Sequence, residues 1–393
     1  MALPLKYNLR NVVVRWKTTG STVLGVALVV AVYVLLEALA QGIEKNSANT
    51  GDPRNVLVVR KGSQAESSSL VTREQVRTLQ YAEEIARDAK GEPLITADIM
   101  TLVSAMRIDL SGEANLILRG ISARGAELRP QVALVQGRMF APGKREVIVA
   151  KSLAGRFKNL DIGGALKAGP DHLTVVGIFT GGGSAFDSEA WMDVEEARAL
   201  FDRDMYSSLL IRAKDEASLA ALTNRIGSDK RLALLAQREV DYYKSQTGTA
   251  VPIKILANLL GTAMSIGAIF AAMNTMYASV GARTREIGTL RVLGYSRRTV
   301  VACFLVEGSI IALFGGLLGC GVAMMIHTYV IASGIMFGTM NFESFSETVF
   351  QFAVTPALMV KGLVFSVFVG LIGSLLPALR ASRLPVISAL KSL

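Results

Sequence analysis

Four stretches of the chain carry no Asp, Glu, Lys or Arg: Thr18 to Leu36, Ile255 to Ala282, Gly308 to Asn341 (with His327 inside) and Gly362 to Leu379. About 20 apolar residues suffice to cross a bilayer, so each stretch predicts a transmembrane helix. The second and third, at roughly 28 and 33 residues, exceed that need and predict helices that continue outward as a stalk.

The residues between the first two runs follow another pattern. Asn55-Val56-Leu57-Val58-Val59-Arg60 is a β-rich run after the breaker Gly51-Asp52-Pro53, and Thr72-Arg73-Glu74-Gln75 is a capping box that opens a helix toward Tyr81. Further strands are predicted at Asn115–Ile121, Glu146–Ala150, Leu173–Phe179 and Ser207–Ile211, and helices at Val194–Phe201 and Glu216–Ile226. The fold class is therefore an α-helical membrane protein with four transmembrane helices and an α+β extracytoplasmic domain of one or two lobes between the first and second.

The predicted organisation is a leader over 1–17, a span over 18–40, the α+β domain over 41–250 and a span with stalk over 251–282. A loop over 283–298, a span with stalk over 299–337, a connection over 338–353, a span over 354–379 and a tail over 380–393 complete it.

Composition agrees: 51% of residues are hydrophobic, 19% charged, and mean hydropathy is +0.40. The net charge of +10 lies beside the spans. Residues 1–19 carry +4, 281–299 carry +4 and 380–393 carry +3, which leaves −1 for all the others. This is the distribution of the positive-inside rule rather than of a nucleic-acid binder, and it places both termini and the 283–298 loop in the cytoplasm of a bacterial inner membrane. Leu5, Leu9, Val12, Val13 and Trp16 share one face of a basic amphipathic leader lying on the membrane lipid. The same region, with Ala38-Leu39-Ala40, imitates a cleavable signal peptide, but its apolar run is too long.

Catalytic chemistry is missing from the pattern. Cys303 and Cys320 both fall in the third span, His172 and His327 lie far apart, and no H-E-x-x-H, C-x-x-C or P-loop occurs, so neither metal nor cofactor is expected in this chain. Gly181-Gly182-Gly183-Ser184 lacks the Lys-Ser/Thr of a phosphate loop and reads as a flexible turn. Glu195-Glu196 and Asp202/Asp204 read as solvated acids.

The most informative segment joins the second and third spans. In it Arg283, Arg285, Glu286, Ile287, Gly288, Leu290 and Gly294 make a short charged helix with two flexible glycines, and Ile287, Leu290 and Leu293 recur at three-residue spacing, suited to an apolar cleft on a cytosolic partner. Glu307, a carboxylate inside the third span, must face protein, water or an arginine, and bridging to the arginine-rich loop is the simpler role. Gly315/Gly319 and Gly370/Ser374, like Gly261/Ser265 and Gly267/Ala271, are small-xxx-small pairs for tight packing or dimerisation.

Asn274-Thr275-Met276, then Arg283-Thr284-Arg285-Glu286-Ile287-Gly288 and Leu293-Gly294-Tyr295-Ser296, then Glu307, closely resemble the MacB/FtsX-type ABC transporter permeases. Pro377-Ala378-Leu379 through Pro385 to Leu390 is similar to the closing signature of that family, and Val135-Gln136-Gly137-Arg138-Met139-Phe140 resembles its periplasmic core domain. The resemblance implies a non-catalytic, stand-alone, LolC/DevC-like permease subunit, in a homo- or heterodimer, with ATP and Mg bound by a separate cytosolic ABC ATPase and with a periplasmic adaptor as a further partner. Its implied action is mechanotransmission for export or extraction of a substrate. An FtsX-like regulator of an extracytoplasmic hydrolase is the alternative, and a secondary transporter is disfavoured by the lack of an inverted repeat.

Overall fold

A computed structural model describes residues 16–109, 112–246, 250–333, 337–340, 346–350 and 353–385. Residues 1–15 of the amphipathic leader and the end of the closing signature lie outside the described residues. The chain forms two compact units, one of residues 1–40, 252–335 and 352–393, the other of residues 41–251 with 336–351.

The first helix, α1 (Trp16–Ala48), continues eight residues beyond the sequence boundary at 40. Gln41, Glu44, Lys45 and Ala48, good helix formers, keep the helix going past Gly42 until Gly51, whose φ of +90° ends the direction of the chain.

The sheet unit begins at β1 (Asn55–Arg60) and α2 (Arg73–Leu79), the latter held by the anticipated box: Thr72 Oγ1 accepts from Gln75 N at 3.2 Å and Gln75 Oε1 from Thr72 N at 2.7 Å. Then follow β2 (Ile95–Met106), β3 (Glu113–Ile121), β4 (Ala133–Gly137), β5 (Glu146–Ala150), β6 (Ala165–Ala168), β7 (Asp171–Thr180), β8 (Glu189–Asp193), α3 (Val194–Leu200), β9 (Ser208–Arg212), α4 (Glu216–Ser228), β10 (Leu234–Arg238) and α5 (Glu239–Ser245). One ten-stranded sheet runs β10-β1-β9-β2-β3-β8-β5-β7-β4, with β6 also on β7. Its pairs are antiparallel except β3–β8 and β5–β7.

Both faces of β1 are buried, which is why its apolar run does not alternate. Val56 and Val58 enter one core with Leu219, Leu222 and Ile226 of α4, while Leu57 and Val59 enter a second with Trp191, Phe179 and Phe186. One sheet thus carries two cores.

Against Phe186 and Trp191 of the second core sits a charge cluster withdrawn from water. Arg119 on β3 donates to Glu66 at 2.9 Å and to Glu189 at 2.7 Å, Arg129 reaches Asp98 at 2.5 Å, and all five side chains are essentially unexposed. Glu189 also accepts from Trp191 Nε1 at 2.7 Å, and Glu66 from Ser208 Oγ at 2.6 Å. Burial alone would push the Glu66 carboxyl up, yet Arg119 and these donors hold it below the usual carboxylate range. Burial wins at Glu239, whose carboxyl is raised.

The helical unit contains α1 through residue 40 and four later helices: α6 (Ala250–Ala282), α7 (Thr284–Val292), α8 (Arg297–Ala332) and α9 (Pro356–Ser382). Each helix other than α7 is long and apolar enough to cross a membrane. At 1.5 Å per residue, α8 is about 54 Å long against a hydrocarbon core of about 30 Å. In the sequence-assigned 338–353 connection, β11 (Phe337–Met340) pairs with β12 (Glu347–Phe350).

Two outcomes follow for the sheet unit. Arg119→Leu leaves Glu66 and Glu189 buried without a counter-charge, and costs about 3–5 kcal/mol; denaturant unfolding of the full chain, followed by Trp191 fluorescence in a Trp16→Phe background, checks this. The Arg138 guanidinium holds the Glu146 carboxyl at about 2, below its ordinary 4.5. A depressed carboxylate contributes stability above its unfolded value and loses it as the pH falls through its folded one, so the unfolding midpoint drops from pH 4.5 toward 2 and drops less in Glu146→Gln.

Candidate functional site

The loop between the second and third spans is built from one break and one reversal. Arg283 leaves helical geometry at φ −116°, ψ 15°, which separates α6 from α7. After α7, Gly294 takes φ +90°, Gly294 N donates to Arg291 O and Tyr295 N to Leu290 O. This is a Schellman closure, and it needs glycine at that position because a side chain is strained there. Ser296 then caps α8, accepting from Thr299 N at 3.2 Å.

Arg283 and Glu307 lock this turn to the third span. Arg283 Nη1 donates to Glu307 Oε2 at 2.9 Å, its Nε donates to Glu286 at 3.1 Å, and its guanidinium lies 5.4 Å from the centre of the Phe304 ring. Both members of the 2.9 Å pair are buried. An unpaired charge within a span costs a few kcal/mol or more, and pairing removes most of that cost.

The apolar spacing of the loop divides differently from the sequence reading. Ile287 does not face a partner: it is buried against Met276, Val280, Val300, Phe304 and Ala378 of its own unit, and Gly288 is buried beside it. Leu290 is half-buried, while Val292 is 61% and Leu293 68% exposed. The outward surface therefore consists of Arg285, Glu286, Thr289, Val292 and Leu293. Three-residue spacing carries Ile287 and Leu293 to opposite sides because the helix ends between them, at Val292.

The packing glycines are used within the chain. A Cβ on Gly315 would come within 2.8 Å of Val26, one on Gly319 within 2.9 Å of Val30, and one on Gly370 within 2.7 Å of Gly308 O. These contacts set α8 against α1 and α9, which leaves these three positions unavailable to a second chain and corrects the option of dimerisation through them. Gly267 has nothing within 4 Å of its Cβ position.

In the sheet unit, Gly181-Gly182-Gly183 forms a turn closed on Asp187. Asp187 accepts from Gly181 N at 2.6 Å and from Gly183 N at 2.7 Å, so the backbone donors that could cradle an anion are filled by the chain's own carboxylate. Glu195 pairs with Arg198 on α3. Among the described residues no three His, Cys, Asp or Glu side chains are grouped to hold a metal. The buried Arg119 cluster was not singled out in the sequence; its signal is a lone arginine inside the apolar alternation Leu116 to Ile121.

Comparison with known proteins places these parts together. The MacB-like periplasmic core domain matches residues 18–228 and the FtsX-like permease C-terminal domain matches 258–386. An uncharacterised ABC transporter permease of Bacillus subtilis, YknZ, is 24% identical over 265 residues, covering 64% of this chain and 63% of that one. The macrolide export ATP-binding/permease protein MacB of Bdellovibrio bacteriovorus is 23% identical over 406 residues, covering 94% of this chain and 58% of its own. The chain thus spans about 60% of the length of these two relatives. Among solved structures, the extracellular domain of YknZ matches 47% of this chain and all of its own at 16% identity and a TM-score of 0.36. The periplasmic region of MacB from Actinobacillus actinomycetemcomitans matches 51% and 95% at 14% identity and 0.37. With family domains matched on both the sheet unit and the helical unit, the chain belongs to the MacB/FtsX-type family of ABC transporter permeases.

Proposed function

We propose that this chain is a permease subunit in which α7 docks on a separate cytosolic ABC ATPase and passes the nucleotide cycle, through the spans, to the extracytoplasmic sheet domain. The observation that carries this reading is the rigid mounting of α7. The buried Arg283–Glu307 pair and Ile287 fix it to α8, while Arg285, Glu286, Val292 and Leu293 face outward together. A force applied to such a helix moves the span rather than bending a loop. ATP and Mg belong to the partner; this chain supplies the lever.

The substrate is handled on the outer side, for export or extraction, and need not pass between the helices. The functional unit is a dimer of permease chains, homo- or heteromeric. Its second chain is assigned to α6, whose most apolar window is 28% buried against 39–44% for the other spans. A periplasmic adaptor fits the same scheme as an outer partner, and both termini and α7 lie in the cytoplasm of the inner membrane.

The deciding experiment is recovery of the detergent-solubilised protein from its native cells with an assay of the eluate for ATPase activity. Wild type brings down an ATPase, and Glu286→Arg or Leu293→Glu loses it by tenfold or more (about 1.4 kcal/mol per tenfold); a wild-type eluate without ATPase overturns the reading. Glu307→Ala removes the buried counter-charge of Arg283 and costs about 3–5 kcal/mol, seen as a lower melting temperature in detergent, whereas the exchange Arg283→Glu with Glu307→Arg recovers part of it.

A further inference from the structure

The segment between the third and fourth spans is not a simple connection. Within the sheet unit, the carboxylate of Glu347 on β12 is buried between two arginines from separate loops: Arg107, whose Nη2 and Nε donate at 2.6 and 3.2 Å, and Arg156. Two residues on, Val349 lies in the larger core, its N donates to Ser188 Oγ at 2.7 Å, and its carbonyl accepts from Ser188 Oγ and from Asn46 Nδ2, each at 3.3 Å. Asn46, in the last turn of α1, also donates to Ser184 O at 3.0 Å. One point on the sheet domain therefore holds both the end of α1 and the β11–β12 hairpin. Four residues separate α8 from β11 and five separate β12 from α9, reaching at most about 14 and 18 Å when fully extended.

We propose that Glu347, with Arg107, Arg156 and Asn46, is a latch through which movement of α8 and α9 is delivered to the sheet domain, a second attachment besides the continuous chain of α1 and α6. The inference rests on the permease reading above. Hydrogen bonds to a buried carboxylate held from two sides are strong and directional, so the hairpin is drawn with the spans and in turn draws the 184–188 turn and β8 behind it. Glu347 acts as a positioning residue, touching neither substrate nor nucleotide.

The test uses the full-length chain with its co-purified ATPase in lipid nanodiscs, followed by hydrogen–deuterium exchange with and without ATP, Mg and vanadate. In wild type, amides of residues 347–350 are protected and those of 146–193 respond to nucleotide. In Glu347→Ala, exchange at 347–350 rises on the order of a hundredfold, ATPase turnover persists, and the nucleotide response of 146–193 is lost. The double variant Arg107→Ala, Arg156→Ala does the same from the other side, and Glu347→Asp retains an intermediate response. Unchanged Trp191 fluorescence separates this from misfolding; should Glu347→Ala misfold, Glu347→Asp carries the test. A nucleotide response that survives in Glu347→Ala overturns the latch while leaving the permease reading intact. A wild type with no nucleotide response overturns the permease reading, and the latch's transmitting role with it.

Discussion

An ion withdrawn from water must be met by opposite charge and by hydrogen bonds, and this constraint organises both units of the chain. In the sheet domain it fixes Arg119 between Glu66 and Glu189, so that β3, β8 and the turn before α2 cannot slide past one another. Among the helices it fixes Arg283 on Glu307. Apolar packing around each pair is extensive but adaptable; the pairs are not, because either partner left alone is costly. Register in the sheet and the angle of α7 are thereby specified more sharply than by hydrophobic contact alone.

The same logic explains what could be read in advance. The spans announced themselves through the absence of charge, and β1 and β5 through unbroken β-branched runs bounded by Gly, Pro and charged residues. Thr72 and Gln75 named the start of α2, as the box requires both ends. What escaped notice was mostly where a charge is buried. β8, Glu189-Ala190-Trp191-Met192-Asp193, looks like polar loop until Arg119 and a helix start account for its two acids. β2 carries Asp98 in its middle for Arg129. The site was legible to a similar degree: the residues of the α7 loop were named, but Ile287 was given an outward role since periodicity cannot tell a helix's own unit from a partner.

The permease reading gains physical content from the division of the α7 surface. In the proposed function the inward half serves stability and the outward half recognition. Ile287 and Gly288 are committed to the bundle, so a partner has Arg285, Glu286, Thr289, Val292 and Leu293 to read. A small, mixed apolar and charged face of this kind suits a contact whose strength can change through a cycle. The internal use of Gly315, Gly319 and Gly370 points the same way, since it packs α8 closely against α1 and α9.

The sheet unit is assembled from two pieces far apart in sequence, residues 41–251 and 336–351, and the second contributes Val349 to the core. Ribosomal synthesis delivers the first piece long before the second, and two further hydrophobic helices are made in between. The domain is therefore finished only when the third helix has been threaded through the lipid and the hairpin has emerged beyond it. Maturation on the extracytoplasmic side becomes a report on insertion: a chain whose later helices fail to integrate is left with an open core and with Arg107 and Arg156, both half-buried, lacking Glu347.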